Sequence, residues 1–332
     1  MKVLKSLSYI GLVTLSLGLI ACSSKDEQAQ LTQTDTAQQE NVEKISIGFQ
    51  KSSLNLLVAR DQKLLEQQFP GAKLEWREFP AGPQMLEALA VGAVDFGSVG
   101  NTPPIFAQAA NKELTYVGYE VYPSDSQALV IHPDSNIQSI ADLKGKKIAV
   151  QKGSSAHELL AKILQKAGLS WQDIEPIWLP PADARAAFDK KSIDAWSIWD
   201  PFLSAAELSS NAKVLVKNAD FAPTYSFYIG SPQFIQKYPN ATAKFNESLN
   251  QADQWILNHQ AEALDIFQKN TGLAPEVAKQ AFDRRLKPSP ILELNATVIE
   301  AQQNIANLFE QEKLIPKHID VQRVIWTNPS KH

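Results

Sequence analysis

What this sequence has little of narrows its function early. Five histidines are spread over 332 residues, at His132, His157, His259, His318 and His332, and none falls at metal-ligand spacing. Zinc is set aside on that ground, and no cofactor is expected. Lys and Arg number 32 against 36 Asp and Glu, giving a formal net charge of −4 and a pI near 5.8. With no long basic run either, a nucleic-acid partner is not expected. Gly-rich dinucleotide fingerprints, a phosphate-loop lysine motif and a Gly-x-Ser-x-Gly elbow are all missing, as are internal repeats.

What is present reads as an ordinary globular protein behind an export signal. The composition is 44% hydrophobic and 20% charged, and the length favours two domains. Lys2 and Lys5 precede an apolar run from Leu7 to Ile20 that is too short to span a membrane. The run ends in Leu19-Ile20-Ala21-Cys22, which looks like a bacterial lipobox, and Cys22 is the single cysteine. Residues 1–21 are read as a lipoprotein signal peptide and Cys22 as the lipidated new N-terminus. A Ser/Gln/Thr/Asp/Glu stretch over 22–43 reads as a flexible tether. Stable anchoring needs more than one acyl chain. These features put the protein at the cell envelope, on the extracytoplasmic face.

From Lys44 onward strands alternate with helices, and alternation of this kind predicts parallel or mixed sheets covered by helices. The first set comprises strands at Ile45–Phe49, Lys73–Phe79 and Val94–Val99 and their helices, followed by strands at Leu114–Val121 and Ala128–His132. A second set runs through Ile148–Val150, Ile174–Leu179 and Ala195–Ile198, and Val214–Val216 and Ser226–Ile229 complete the strands. From Pro232 the chain reads as helical, over 243–270, 275–284 and 296–311, with apolar residues at helical spacing.

Four turns share one design: a strand end, small polar residues, then a helix start. They are Gln50-Lys51-Ser52-Ser53, Gly100-Asn101-Thr102, Lys152-Gly153-Ser154-Ser155 and Trp199-Asp200-Pro201. Helix starts present free N–H groups and a positive dipole end to an anion, and open α/β sheets bind ligands beyond their strand ends. Neutral donors suit an anion that has no proton to give. Each element also has a plainer role. Ser155 with Glu158 forms an S-x-x-E capping box, Asp200 before Pro201 is a good helix start, and Arg185 can pair with Asp183 or Asp189.

The runs Phe79-Pro80-Ala81-Gly82-Pro83-Gln84, Ala141-Asp142-Leu143-Lys144-Gly145-Lys146-Lys147-Ile148-Ala149, Gln151-Lys152-Gly153-Ser154-Ser155, Pro181-Ala182-Asp183-Ala184-Arg185-Ala186-Ala187-Phe188 and Ile198-Trp199-Asp200-Pro201 carry a resemblance. Taken in order, they resemble the aliphatic sulfonate-binding proteins of ABC importers, with taurine- and nitrate-binding proteins as wider relatives. The resemblance implies a bilobal periplasmic-binding-protein fold of type II, with a hinge and a ligand cleft between lobes. One lobe would combine 44–127 with 227–332, and the other would be 128–226. It also implies a sulfonate against the turns at Gln50, Ser52, Asn101, Ser154 and Ser155, with Trp199 and Asp200 nearby, and Thr102 and Arg185 complete the set of expected ligand residues. Relatives often carry an acidic residue where this chain has Asn101, which leaves Asp200 to meet any ammonium group.

The function implied is a binding protein and not an enzyme: a monomeric, lipid-anchored receptor handing sulfonates to the transmembrane subunits of an ABC permease for sulfur supply. One alternative keeps the receptor and changes the ligand to taurine, nitrate, a thiamine precursor or an aromatic sulfonate. A distant alternative is a secreted serine hydrolase using Ser154 or Ser155 with His157. Positions two or three apart at a helix start do not face each other as nucleophile and base must.

Overall fold

Two sheets of five strands organise the chain, and both are mixed. The computed structural model describes residues 40–329, which form one compact unit. The signal peptide, Cys22 and most of the tether lie outside the described residues. The last stretch of the expected tether, 40–43, is held against the body instead. Val42 is buried in the core, and the Glu40 carboxylate accepts the Asn240 N–H at 2.9 Å. Burying even one valine stabilises by about 1.5–3 kcal/mol.

The first series runs β1 (Lys44–Phe49), α1 (Leu54–Asp61), α2 (Leu64–Gln68), β2 (Lys73–Glu78), α3 (Gly82–Ala90), β3 (Phe96–Val99), α4 (Thr102–Ala109) and β4 (Thr115–Val121). The chain then crosses to a second series: β5 (Gln127–Ile131), β6 (Lys147–Val150), α5 (Ser155–Ala167), β7 (Glu175–Trp178), α6 (Pro181–Asp189), β8 (Ala195–Trp199), α7 (Phe202–Ser210) and β9 (Lys213–Lys217). It returns through β10 (Tyr225–Gly230) and ends in α8 (Pro232–Lys237), α9 (Ala241–Asn258), α10 (Gln260–Thr271), α11 (Pro275–Arg284) and α12 (Ala296–Gln311).

The first sheet has the order β2-β1-β3-β10-β4 and the second β7-β6-β8-β5-β9. In each, four strands run in one direction, while the fourth in order runs antiparallel to both neighbours. That antiparallel strand, β10 or β5, is the first one laid down after the chain crosses over. It arrives from the other half of the molecule, so its direction is set by the crossing and not by a strand–helix–strand unit. The expected strand-then-helix pattern could not reveal this.

Both faces of the central strands are covered, so β1 is buried from Ile45 to Phe49 and its Ser46 and Gly48 are inside as well. Gly48 is needed there, because a Cβ would sit 2.7 Å from the Met85 side chain. The C-terminal helices supply much of this cover. Phe245, Leu249, Ala252 and Ile256 of α9 join the core of β1 and α1, and Phe245 stacks on Phe96 at 4.5 Å. Val298, Ile305 and Phe309 of α12 join the core formed by α3, α4, β3 and β4. The helix expected over 243–270 is two helices, broken at His259 with φ −135 and ψ 51. The imidazole stacks on Trp255 at 4.7 Å, and apolar spacing continues through the break. Periodicity alone could not report it.

Candidate functional site

The carboxyl ends of β1, β3 and β8 and the starts of α1 and α5 surround a cavity of about 100 Å³, room for several waters or one small organic molecule. Its walls include Gln50, Ser52 and Ser53 from the first turn, Gly100 from the second with Pro103 of α4 behind it, Ser154 and Ser155 from the third, and Trp199 and Asp200 from the fourth. Residues of both sheets therefore meet in one space.

Hydrogen bonds separate the serines into two kinds. The Ser53 hydroxyl accepts the Gln50 N–H at 3.1 Å and lies 2.5 Å from the Ser98 hydroxyl. Gln50 donates its side-chain N–H to the Ser98 carbonyl at 3.0 Å, which ties the β1 turn to β3. The Ser154 hydroxyl donates to the Gln151 carbonyl at 2.7 Å. Ser52 and Ser155, by contrast, have hydroxyls without a protein partner among the described residues, and both line the cavity. The N–H groups of Ser155 and Ala156, in the first turn of α5, have no backbone acceptor among the described residues. Gly100 lets the two halves close on this point: a Cβ there would lie 3.0 Å from the Ser155 Cβ.

The predicted capping box does not form. Ser154 is the cap residue of α5, one position earlier than expected, which puts His157 at the third helical position and Glu158 at the fourth. His157 takes the place of the back-reaching side chain, its Nδ1 accepting the Gly153 N–H at 3.2 Å. Gly153 adopts φ +74, a left-handed conformation that glycine takes without strain. The Glu158 carboxylate is fully buried and pairs with Lys162. Burial pushes it above the usual carboxylate range, opposed by Lys162 and by the Asn101 side chain.

Six of the expected ligand residues, Gln50, Ser52, Ser154, Ser155, Trp199 and Asp200, stand in the cavity wall. Three do not. Asn101 and Thr102 lie behind it: Asn101 accepts the Thr102 hydroxyl at 3.0 Å, and its carbonyl accepts the Gln302 side chain at 2.5 Å. Arg185 is elsewhere altogether. Its Nε bonds Asp189 at 2.8 Å along α6, which buries Pro181, Ala184 and Phe188 on its other side. That is the helical i,i+4 pairing which its spacing already allowed.

Asp200 has two roles at once. One carboxylate oxygen accepts the Ser204 N–H at 2.8 Å and hydroxyl at 2.6 Å, which caps the start of α7. Burial pushes its carboxyl up, opposed by the Ser204 bonds and the Arg284 guanidinium. The wall also contains charged residues that sequence reasoning missed, Glu120 and Arg285. Arg285 is engaged by protein groups, Asn55 at 2.6 Å, Glu120 at 3.6 Å and Asp253 at 3.8 Å. Tyr122 lines the cavity too, donating its hydroxyl to the Ser126 carbonyl at 3.2 Å.

No serine is activated here as a nucleophile. His157 is fully buried among Phe106, Trp171, Trp178 and Phe309, with ring centroids 4.9 to 5.7 Å away. Burial pulls its imidazole down from 6.5 to about 3, with a smaller push from Lys152. The Ser154 hydroxyl points its proton at a carbonyl instead.

Comparison with known proteins matches this arrangement to one family. The family described as NMT1/THI5 like matches residues 69–263. A relative from Escherichia coli (strain K12), named for binding aliphatic sulfonates, is 42% identical over 87% of this chain and 91% of its own length. Among solved structures, the alkanesulfonate-binding protein SsuA from Xanthomonas axonopodis pv. citri, bound to MOPS, superposes with a TM-score of 0.82 at 41% identity, covering 85% of this chain and 98% of that one. The periplasmic aliphatic sulphonate binding protein SsuA from Escherichia coli gives 0.79 at 42%, covering 86% and 92%. These relatives are binding proteins, not enzymes. On the strength of these matches and of the two-sheet architecture they share, the chain belongs to the NMT1/THI5-like family, in the group of SsuA-type solute-binding proteins.

Proposed function

We propose that this chain is the extracytoplasmic receptor of an ABC importer for aliphatic sulfonates. The observation that carries the reading is the convergence of two unpartnered hydroxyls, Ser52 and Ser155, with the open first turn of α5 in one cavity. A sulfonate is ionised at any physiological pH and offers only acceptor oxygens. It is served by hydroxyls and N–H groups and has no need of a free cation. Gln50 and Ser154 brace the turns, and Trp199 gives the alkyl portion an apolar surface. The names of the sulfonate-binding relatives support the same ligand class.

The receptor would work by the closing of two lobes, 44–127 with 227–332 and 128–226, on the ligand, followed by delivery to the permease subunits. It would act as a monomer held to the membrane by lipid on Cys22. Calorimetry with short alkanesulfonates, taurine, sulfate and nitrate tests the ligand: saturable heat with the alkanesulfonates is expected, and none with any sulfonate at millimolar concentration sinks the assignment. Anchoring is tested by Cys22→Ala, which should leave the protein unlipidated and shift it out of the membrane fraction.

A further inference from the structure

A cavity for an anion should not keep an uncompensated carboxylate in its wall, yet Asp200 stands there, 9% exposed at its side chain. Its compensation comes from the opposite half of the molecule. Arg284, at the end of α11, reaches Asp200 with Nη1 at 3.4 Å and the Ser204 hydroxyl at 3.3 Å. The same guanidinium gives Nη2 to Glu207 at 2.6 Å, and Gln280 donates to that carboxylate oxygen at 2.6 Å as well. α11 packs into the core of the first sheet through Ala278, Ala281 and Phe282. Asp200 and α7, with Leu203 and Ala206, belong to the second. Arg284 is not itself among the wall residues.

We infer that Arg284 is a positioning residue that sets affinity for an anionic ligand without touching it, by neutralising Asp200 across the cleft. The inference rests on the sulfonate reading above. Two carboxylates share one guanidinium, so the group of Asp200, Glu207 and Arg284 carries one negative charge. Its pairs are mostly shielded from water, with side-chain exposures of 9% for Asp200 and 19% each for Arg284 and Glu207. Removing one partner of such a pair leaves the other as a buried, unbalanced charge. Removing Arg284 makes this group more negative, whereas removing the Glu207 charge makes it neutral.

That asymmetry distinguishes charge compensation from a simple strap between halves. A strap predicts that Arg284→Gln and Glu207→Gln both weaken binding, because both cut it. Compensation predicts opposite signs. The experiment titrates butane-1-sulfonate into the purified protein by calorimetry, with thermal melts to verify folding. Arg284→Gln should weaken binding at least tenfold, and Glu207→Gln should tighten it two- to threefold. Adding Asp200→Asn to Arg284→Gln should recover most of the loss. Weaker binding in Glu207→Gln, or no recovery in the double variant, overturns the inference while leaving the sulfonate reading intact. A wild-type protein that binds neither this sulfonate nor any other overturns both. Should Arg284→Gln fail to fold, the sign of the Glu207→Gln effect decides alone.

Discussion

The two halves meet along two seams of different chemistry. On one, Phe106 of α4 and Phe309 of α12 pack against His157 of α5, which also meets Trp171 and Trp178. On the other, Arg284 and Gln280 of α11 bond Asp200, Ser204 and Glu207 around the start of α7. The aromatic seam is apolar, is buried at His157 and Phe309, and depends on shape, so salt should leave it alone. The polar seam is partly open to water and depends on charge, so salt should loosen it. Acid reverses the ranking. A histidine buried in its neutral form must take up a proton when the protein unfolds, and this links the aromatic seam to pH.

The sharpest way to break the comparison is Phe309→Ala. The ring is fully buried and meets Phe106 at 5.3 Å and His157 at 5.2 Å. A loss of about 3–5 kcal/mol of stability is expected from denaturant unfolding, with little dependence on salt. Acid comes next. Because the imidazole is held at about 3 against an ordinary 6.5, its contribution is complete above pH 6.5 and fades as pH falls toward 3. Between pH 6.5 and 5 the loss should reach about 2 kcal/mol. His157→Gln, which keeps an acceptor for the Gly153 N–H, should flatten that slope in melts across this range. If the slope survives, other groups cause it.

The smallest expected effects lie at the start of α5, where adjacent serines are expected to part company. Ser155→Ala should lower sulfonate affinity by about 1 kcal/mol and leave the melting temperature nearly unchanged. Ser154→Ala should do the reverse, lowering stability by about 0.5–1.5 kcal/mol through the lost bond to Gln151. Calorimetry and thermal melts on both variants check the contrast.

The legible and illegible parts of the site divide along sequence distance. The strand–turn–helix units were readable because each is set by neighbours: Ile148 to Val150, the small turn, then the apolar stripe Leu159, Leu160, Ile163 and Leu164. Six of the nine ligand candidates reached the wall because they sit in such turns. Asn101 and Thr102 did not, since whether a turn residue faces inward or backward is settled by α12, whose Gln302 lies 201 positions away. The Arg284 partnership with Asp200 spans 84 positions, and nothing local to α11 announces it. A one-residue shift of the cap was enough to remove Glu158 from the predicted box.

The strand order has a consequence for how the protein is made. β10 lies between β3 and β4, which do not pair with each other, so the first sheet stays in two pieces until residues 225–230 emerge. Every strand of the second sheet comes from the uninterrupted stretch 127–217. In a chain that appears from its N-terminus, the half encoded second has all its strands in hand before the half encoded first. The order of synthesis and the order of completion run opposite to each other, and the last joint to set is the one that fixes the first half around the cavity.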